Sequence, residues 1–294
     1  MKLSLILVSA LFLSTACVVE RSPFKEGKVL AGKKVSASTL NTGYHTYLEY
    51  CVQCHGMDGK GNGPAAKGTL PPPRDFTQGL YKFPWVAYGD LPHDEDFARI
   101  IRHGLKGTPM LPWDISDERL DAVIQYIKTF APETWEGEDK KVGEKFKLPR
   151  DPFGDTYQHI AVEKGKKVYH VTAACTQCHR GYATKGEIQS WAREMGTSIE
   201  IGSDLYQLKM QDGEYNYKVL PPDFTYHQLR SIDDVPSIVQ RLMYGVTGSG
   251  MPGWKDVVAD EELWALAYYV QHLRNIGADL SQRNELMDKL DGQK

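Results

Sequence analysis

Two copies of one pentapeptide contain four of the five cysteines in this 294-residue chain. They read CVQCH, from Cys51 to His55, and CTQCH, from Cys175 to His179. C-x-x-C-H is the attachment signature of c-type haem, because two thiols one helical turn apart can add to the two vinyl groups of one porphyrin. The following histidine then reaches the iron from the same side. The sequence predicts two covalently bound haem c groups, held by Cys51, Cys54, His55, Cys175, Cys178 and His179.

Two other uses of paired cysteines fit the sequence less well. A zinc site joins two C-x-x-C pairs that usually lie about 15 to 20 residues apart, whereas these pairs lie in different halves of the chain. A thioredoxin-type dithiol accounts for one pair but not for a histidine after both. The sequence therefore favours haem attachment over zinc binding or dithiol chemistry.

The context of the pentapeptides is also repeated, in the same order. After the first, the chain reads LPPPRDF (Leu70 to Phe76) and then IIRHGLKGTPMLPW (Ile100 to Trp113). After the second, it reads VLPPDF (Val219 to Phe224) and then RLMYGVTGSGMPGW (Arg241 to Trp254). An internal repeat of this kind indicates two copies of one structural unit. The second copy is longer, and the spacing places its insertion between residues 186 and 217.

Helices are the elements that must position these motifs. Apolar residues recur at intervals of three and four from Asp117 to Phe130 and from Asp260 to Leu273, so a helix with one buried face closes each half. A further helix leads into each pentapeptide and carries Tyr47 or Tyr169. Little in either half alternates with the period that marks a strand. The predicted fold class is all-α.

Each half resembles a class I cytochrome c domain, and the whole chain resembles a dihaem cytochrome of the c4-like kind. The resemblance implies two tandem domains, each a small helical bundle around its haem. It also implies that Met110 and Met251, each in a Gly/Pro loop downstream of its pentapeptide, bind the iron opposite the histidine. This family often bonds the other imidazole nitrogen to a proline carbonyl, which points to Pro64 for His55 and leaves His179 without a predicted partner.

Alternatives to methionine ligation stay open at this point. A methionine in such a loop can simply fill a gap in the core, and His103 is a rival ligand in the first half. Methionine at both sites would keep each iron six-coordinate, which favours electron transfer over oxygen or peroxide chemistry.

The chain begins like an exported protein. Residues 1–17 contain one basic residue, an apolar run and small residues before Cys17, a pattern typical of a secretory signal peptide. The end of this segment resembles the lipobox of bacterial lipoproteins, which implies acylation of Cys17 and attachment to a membrane. Ordinary cleavage nearby would instead leave a soluble periplasmic protein. The predicted location is the periplasm or cell envelope.

Composition and charge indicate how the rest of the chain is organised. Residues 132–156 are rich in Glu, Asp and Lys, which favours a solvated, extended linker. The predicted order is signal peptide 1–17, cytochrome c domain 38–131, linker 132–156, cytochrome c domain 157–276 and C-terminal tail 277–294. A formal net charge of -3 gives no reason to expect a nucleic-acid partner, because that affinity depends on clustered Lys and Arg.

The resemblance implies a carrier of single electrons between redox-partner proteins, not an enzyme. Two alternatives remain: a dihaem cytochrome c peroxidase, and the cytochrome subunit of a membrane respiratory oxidoreductase complex. A peroxidase needs one iron that opens its distal side, usually by losing a histidine ligand, with a nearby acid or amide to assist. Neither feature is evident in the sequence.

Overall fold

The computed structural model describes residues 22–213 and 218–292, and this part of the chain is mainly helical. The first half begins with a short antiparallel hairpin and continues as helices. Its elements are β1 (Lys28–Leu30), β2 (Lys33–Val35), α1 (Ala37–Tyr50), α2 (Val52–His55), α3 (Asp94–His103), α4 (Asp117–Lys128) and α5 (Pro132–Trp135). Since strands in the described residues form only short hairpins, the all-α prediction is confirmed.

The second half repeats this plan with additional elements. They are α6 (Gln158–Lys167), a π-helical turn (Val168–Thr172), α7 (Lys185–Glu194), β3 (Gln211–Asp212), β4 (Lys218–Val219), α8 (Val235–Tyr244), α9 (Asp260–Ala278) and α10 (Leu280–Asp291). The predicted signal peptide and Cys17 lie outside the described residues. Among the helices that are described, none combines the length and apolar character needed to cross a bilayer.

Each half is built on the close crossing of two helices, α1 with α4 and α6 with α9. A glycine stands at both crossings. A Cβ atom on Gly43 would overlap the carbonyl oxygen of Ala122, and one on Gly165 would overlap that of Ala265. The absent side chain lets the backbones approach, so the helix before each pentapeptide packs directly on the helix that closes the same half.

The approach to the second pentapeptide differs from the first by a local change of helical pitch. Two more residues separate Tyr169 from Cys175 than separate Tyr47 from Cys51. The π-helical turn at Val168–Thr172 accommodates extra chain by widening the helix. Both tyrosines are consequently buried in equivalent places, one in each core.

The segment predicted as a solvated linker, residues 132–156, is instead packed at several points. Trp135 is fully buried in the core of the first half, and Phe153 is buried in the core of the second. Between them, the ring of Phe146 stacks on Tyr244 with centroids 4.9 Å apart. Because acidic and basic residues surround these aromatic side chains, the sequence pattern did not indicate that they are buried. The domain boundaries on either side stay a prediction.

The described parts of the predicted insertion (186–217) and of the predicted tail (277–294), which are residues 186–213 and 277–292, pack against each other. The insertion contributes α7 and a following loop, and the described part of the tail is largely helical as α10. Ile188, Leu205 and Leu290 are buried together in a small apolar core. Each segment covers apolar surface of the other, which its own sequence pattern could not reveal.

Two candidate haem-attachment sites

The two pentapeptides have the same backbone geometry. In the first, the N–H groups of Cys54 and His55 donate to the carbonyl oxygen of Cys51, at 3.2 and 2.9 Å. The second repeats these bonds with the same distances, from Cys178 and His179 to Cys175. All four cysteines are half-buried and free of disulfide bonds. Each half therefore presents two thiols and an imidazole on one helical turn.

A backbone carbonyl orients each histidine. Nδ1 of His55 lies 3.0 Å from the carbonyl oxygen of Arg74, and Nδ1 of His179 lies 3.3 Å from that of Pro222. With the proton on Nδ1, Nε2 carries the lone pair that can bind a metal. Burial lowers the pKa of both imidazoles, which keeps them in the neutral, ligating form.

These carbonyls correct and complete the sequence prediction. Pro64 was expected to hold His55, but Arg74 does so, because the loop after LPPP returns the chain to the imidazole. Arg74 and Pro222 occupy the same place in the repeat, two residues before Phe76 and Phe224. Aligning LPPPRDF with LPPDF shows that Arg74 and Pro222 are equivalent positions.

The two phenylalanines of these motifs are site residues that sequence reasoning missed. Phe76 stacks on His55 with ring centroids 4.4 Å apart and an interplanar angle of 17°. Phe224 stacks on His179 at 4.9 Å and 18°. The carbonyl fixes the edge of each imidazole and the phenyl ring fixes its face. Neither histidine can then rotate without losing a contact.

A tyrosine on the preceding helical segment hydrogen-bonds to the residue that follows each pentapeptide. The hydroxyl of Tyr47 donates to the carbonyl oxygen of Gly56 at 2.7 Å, and that of Tyr169 donates to the carbonyl oxygen of Arg180 at 2.8 Å. Both acceptors directly follow the histidine. The segment is thus held on both sides of its ligand residue.

The methionine loops also match between the halves. The N–H of Leu105 donates to the carbonyl oxygen of Met110 at 2.8 Å, and that of Val246 donates to Met251 at 2.9 Å. Each loop begins at a glycine with positive φ, 65° at Gly104 and 72° at Gly245. Both methionines are half-buried. The same loop conformation therefore presents a thioether in each half.

Each methionine packs against the core that its pentapeptide also contacts. Met110 and Cys51 lie against the buried cluster of the first half, and Met251 and Cys175 lie against that of the second. Iron ligation by Met110 and Met251 stays a prediction. The rival ligand His103 has an exposed side chain.

The donor set fits a covalently attached haem. Burial raises the pKa of the Cys51 and Cys175 thiols to about 12, so both are neutral thiols at neutral pH. In the described residues, no group of three or more His, Cys, Asp or Glu side chains is arranged to hold a metal ion. Each half instead offers one imidazole beside two thiols, which suits an iron that brings its own porphyrin nitrogens.

Fold and site together define a c-type cytochrome, a class of protein that transfers electrons through haem iron. Residues 38–127 match the family described as cytochrome c oxidase, cbb3-type, subunit III. A chain of the reducing HAO-like protein complex of Kuenenia stuttgartiensis is 27% identical, with a TM-score of 0.63 over 79% of this chain and 95% of that chain. No curated protein matches. The family match covers the first half, and the structural match extends over most of the chain.

Proposed function

We propose that this protein is a dihaem, c4-like cytochrome that carries single electrons between redox-partner proteins of the cell envelope. One observation supports two haems above all others. The bond from His55 to the Arg74 carbonyl and the stacking of Phe76 on His55 have equivalents at His179, Pro222 and Phe224. Two sites built alike are suited to the same cofactor.

The chain's own residues would hold the haems in a defined way. His55 with Met110 would bind the first iron, and His179 with Met251 the second. When bound, the haem supplies one-electron exchange between ferrous and ferric iron. The protein residues orient each imidazole, and a second ligand from Met110 or Met251 would exclude a substrate from the iron, so the proposed role is electron transfer and not catalysis.

Mass spectrometry of the mature protein tests the number of haems. The expected result is two added macrocycles, one on the peptide with Cys51 and Cys54 and one on the peptide with Cys175 and Cys178. A single macrocycle would contradict the dihaem proposal. The same spectra would show whether Cys17, which lies outside the described residues, is acylated and anchors the protein to a membrane.

Absorption spectroscopy tests the methionine ligands. We expect low-spin haem with the weak long-wavelength band of methionine-ligated ferric iron. Met110→Ala and Met251→Ala should each remove about half of this band, whereas Met57→Ala, at a methionine that is 61% exposed, should leave it intact. High-spin iron with peroxide turnover after partial reduction would contradict the proposal and favour a dihaem peroxidase.

The structural neighbour supports a second candidate function. It belongs to a protein complex, so this chain is also a candidate cytochrome subunit of a larger oxidoreductase. Purification from the native cell envelope under mild conditions separates the two proposals. A free carrier elutes alone, whereas a subunit elutes in stoichiometric amounts with other chains.

A further inference from the structure

The two candidate sites differ in the aspartate that follows the carbonyl holding each histidine. Asp223 follows Pro222, and its repeat equivalent Asp75 follows Arg74. Asp223 is only 3% exposed, whereas Asp75 is half-buried. The second site therefore has a carboxylate shielded from water beside the carbonyl that supports its histidine, whereas the equivalent carboxylate of the first site is partly exposed.

Part of the environment of these aspartates is shared. Asp223 Oδ1 accepts hydrogen bonds from the backbone N–H and the hydroxyl of Thr225, at 2.8 and 2.7 Å. Asp75 Oδ1 accepts the same two bonds from Thr77, at 2.9 and 2.6 Å. This turn, present in both halves, fixes the chain immediately after the carbonyl that orients the histidine.

The second site adds a tyrosine and an arginine from the segment that follows its pentapeptide. The hydroxyl of Tyr182 donates to Asp223 Oδ1 at 3.0 Å, and Arg180 Nη1 lies 3.5 Å from Oδ2. Tyr182 also accepts a bond from the N–H of Phe224 at 2.8 Å. The tyrosine thus joins the segment after His179 to the segment that supports the same imidazole.

The first site has an aspartate in place of this tyrosine. Asp58 occupies the position that corresponds to Tyr182, and its side chain is exposed. Asp75 Oδ2 accepts a hydrogen bond at 3.1 Å from Nε2 of Gln78, which is a neutral amide. The carboxylate at the first site is therefore partly hydrated, and water reduces its electrostatic effect.

We propose that Asp223 is a positioning residue of the second haem, fixing the Pro222 carbonyl for His179 and placing a buried carboxylate, which Arg180 partly neutralises, beside the segment that supports this imidazole. The proposal rests on the dihaem function. A negative charge stabilises ferric iron over ferrous iron, and it acts more strongly where water is excluded. Asp223 accordingly lowers the reduction potential of the second haem, and Asp75 affects the first haem much less.

Reduction potentials of the two haems, measured by spectroelectrochemistry, test this role. Asp223→Asn keeps the shape of the side chain and removes its charge. We expect the equilibrium of the second haem to shift about tenfold towards the ferrous form, which is a rise in its reduction potential of about 59 mV for one electron. The potential of the first haem should not change. The matched control Asp75→Asn should shift the first haem by about twofold or less, because its carboxylate is partly hydrated.

Tyr182→Phe should shift the reduction potential of the second haem in the opposite direction. This variant also tests the proposal if Asp223→Asn does not fold. It removes one donor to the carboxylate and keeps the charge, so the potential of the second haem should fall. Equal shifts in Asp223→Asn and Asp75→Asn, or an unchanged second potential in Asp223→Asn, would overturn the proposal. If Asp223→Asn does not fold, an unchanged second potential in Tyr182→Phe would overturn it. Absence of a macrocycle at Cys175 and Cys178 in the unmodified protein would instead contradict the dihaem function.

Discussion

Arg241 connects the two halves of the molecule, and its replacement by lysine should destabilise the protein. This residue of α8 is buried, with a side chain that reaches into the first half. Its guanidinium donates to the carbonyl oxygens of Phe83 and Pro84 at 3.2 and 3.3 Å, and to that of Gly245 at 3.0 Å. It also lies over the ring of Trp85, 4.2 Å from the centroid.

The expected loss follows from these contacts. Burial lowers the pKa of Arg241 to about 9, and the guanidinium depends on its planar set of donors to offset the lost hydration. Lysine can keep one carbonyl bond but loses the others, and each hydrogen bond from a charged group contributes about 1.5–3 kcal/mol. A desolvated cation–π contact contributes about 2 kcal/mol more. We expect Arg241→Lys to lower the free energy of unfolding by about 3 kcal/mol, the lower end of the range for the two hydrogen bonds that lysine loses, since an ammonium group can keep a cation–π contact with Trp85.

Urea denaturation followed by circular dichroism measures the change, with Arg119→Lys as the matched control. Arg119 also lies over an aromatic ring, that of Tyr50 at 5.2 Å, and pairs with Glu49, but its contacts stay within the first half and its side chain is 34% exposed. An exposed pair contributes about 1 kcal/mol or less. If Arg241→Lys costs no more than Arg119→Lys, the reasoning about the buried guanidinium is refuted.

Three further changes test other parts of the structure. Burial lowers the pKa of His170 from 6.5 to about 4, so the folded state favours the neutral ring. Its contribution to stability is complete above pH 6.5 and is lost as the pH falls towards 4. His170→Gln should therefore reduce the dependence of the free energy of unfolding on pH between 6.5 and 4, as measured by urea denaturation. The same pH dependence in the variant and the unmodified protein would contradict this role of His170. Gly245→Ala would place a Cβ 2.5 Å from the carbonyl oxygen of Met251 at a φ of 72°. This change should lower the free energy of unfolding by about 1–3 kcal/mol, and it should weaken the long-wavelength haem band because it displaces the Met251 loop. Lys128 is 2% exposed and pairs with Asp94, so Lys128→Ala should lower the free energy of unfolding by about 3 kcal/mol, because it leaves Asp94 without this cation. Thermal or urea unfolding measures the change, and a loss below about 1 kcal/mol would contradict the importance of this pair.

The parts of the fold that depend on local chemistry could be predicted from the sequence. The pentapeptides carry their own signature, and the apolar spacing indicated α4 and α9, although α9 continues to Ala278. The repeat also placed Met110 and Met251 in equivalent loops, which the structure builds with equivalent backbone bonds. These features lie within short stretches of chain, so each can be recognised without its neighbours.

Features that depend on contacts between distant segments could not be predicted in this way. The burial of Trp135 within a charged stretch and the packing of Leu290 onto the insertion need a partner surface that periodicity does not identify. The partner of His55 was misassigned because an acceptor carbonyl belongs to every residue and has no side-chain signature. Only the shared position of Arg74 and Pro222 in the repeat distinguishes it.

Support of both imidazoles by main-chain oxygen has a consequence for how this protein can diverge. An arginine and a proline perform the same task at His55 and His179, since no substitution removes a carbonyl from the backbone. Natural variation at these two positions should therefore be broad in charge and size while the iron ligand keeps its orientation. Selection would act on the chain path, through the neighbouring aspartate and phenylalanine, so homologous sequences are better aligned on that dipeptide than on the residue before it.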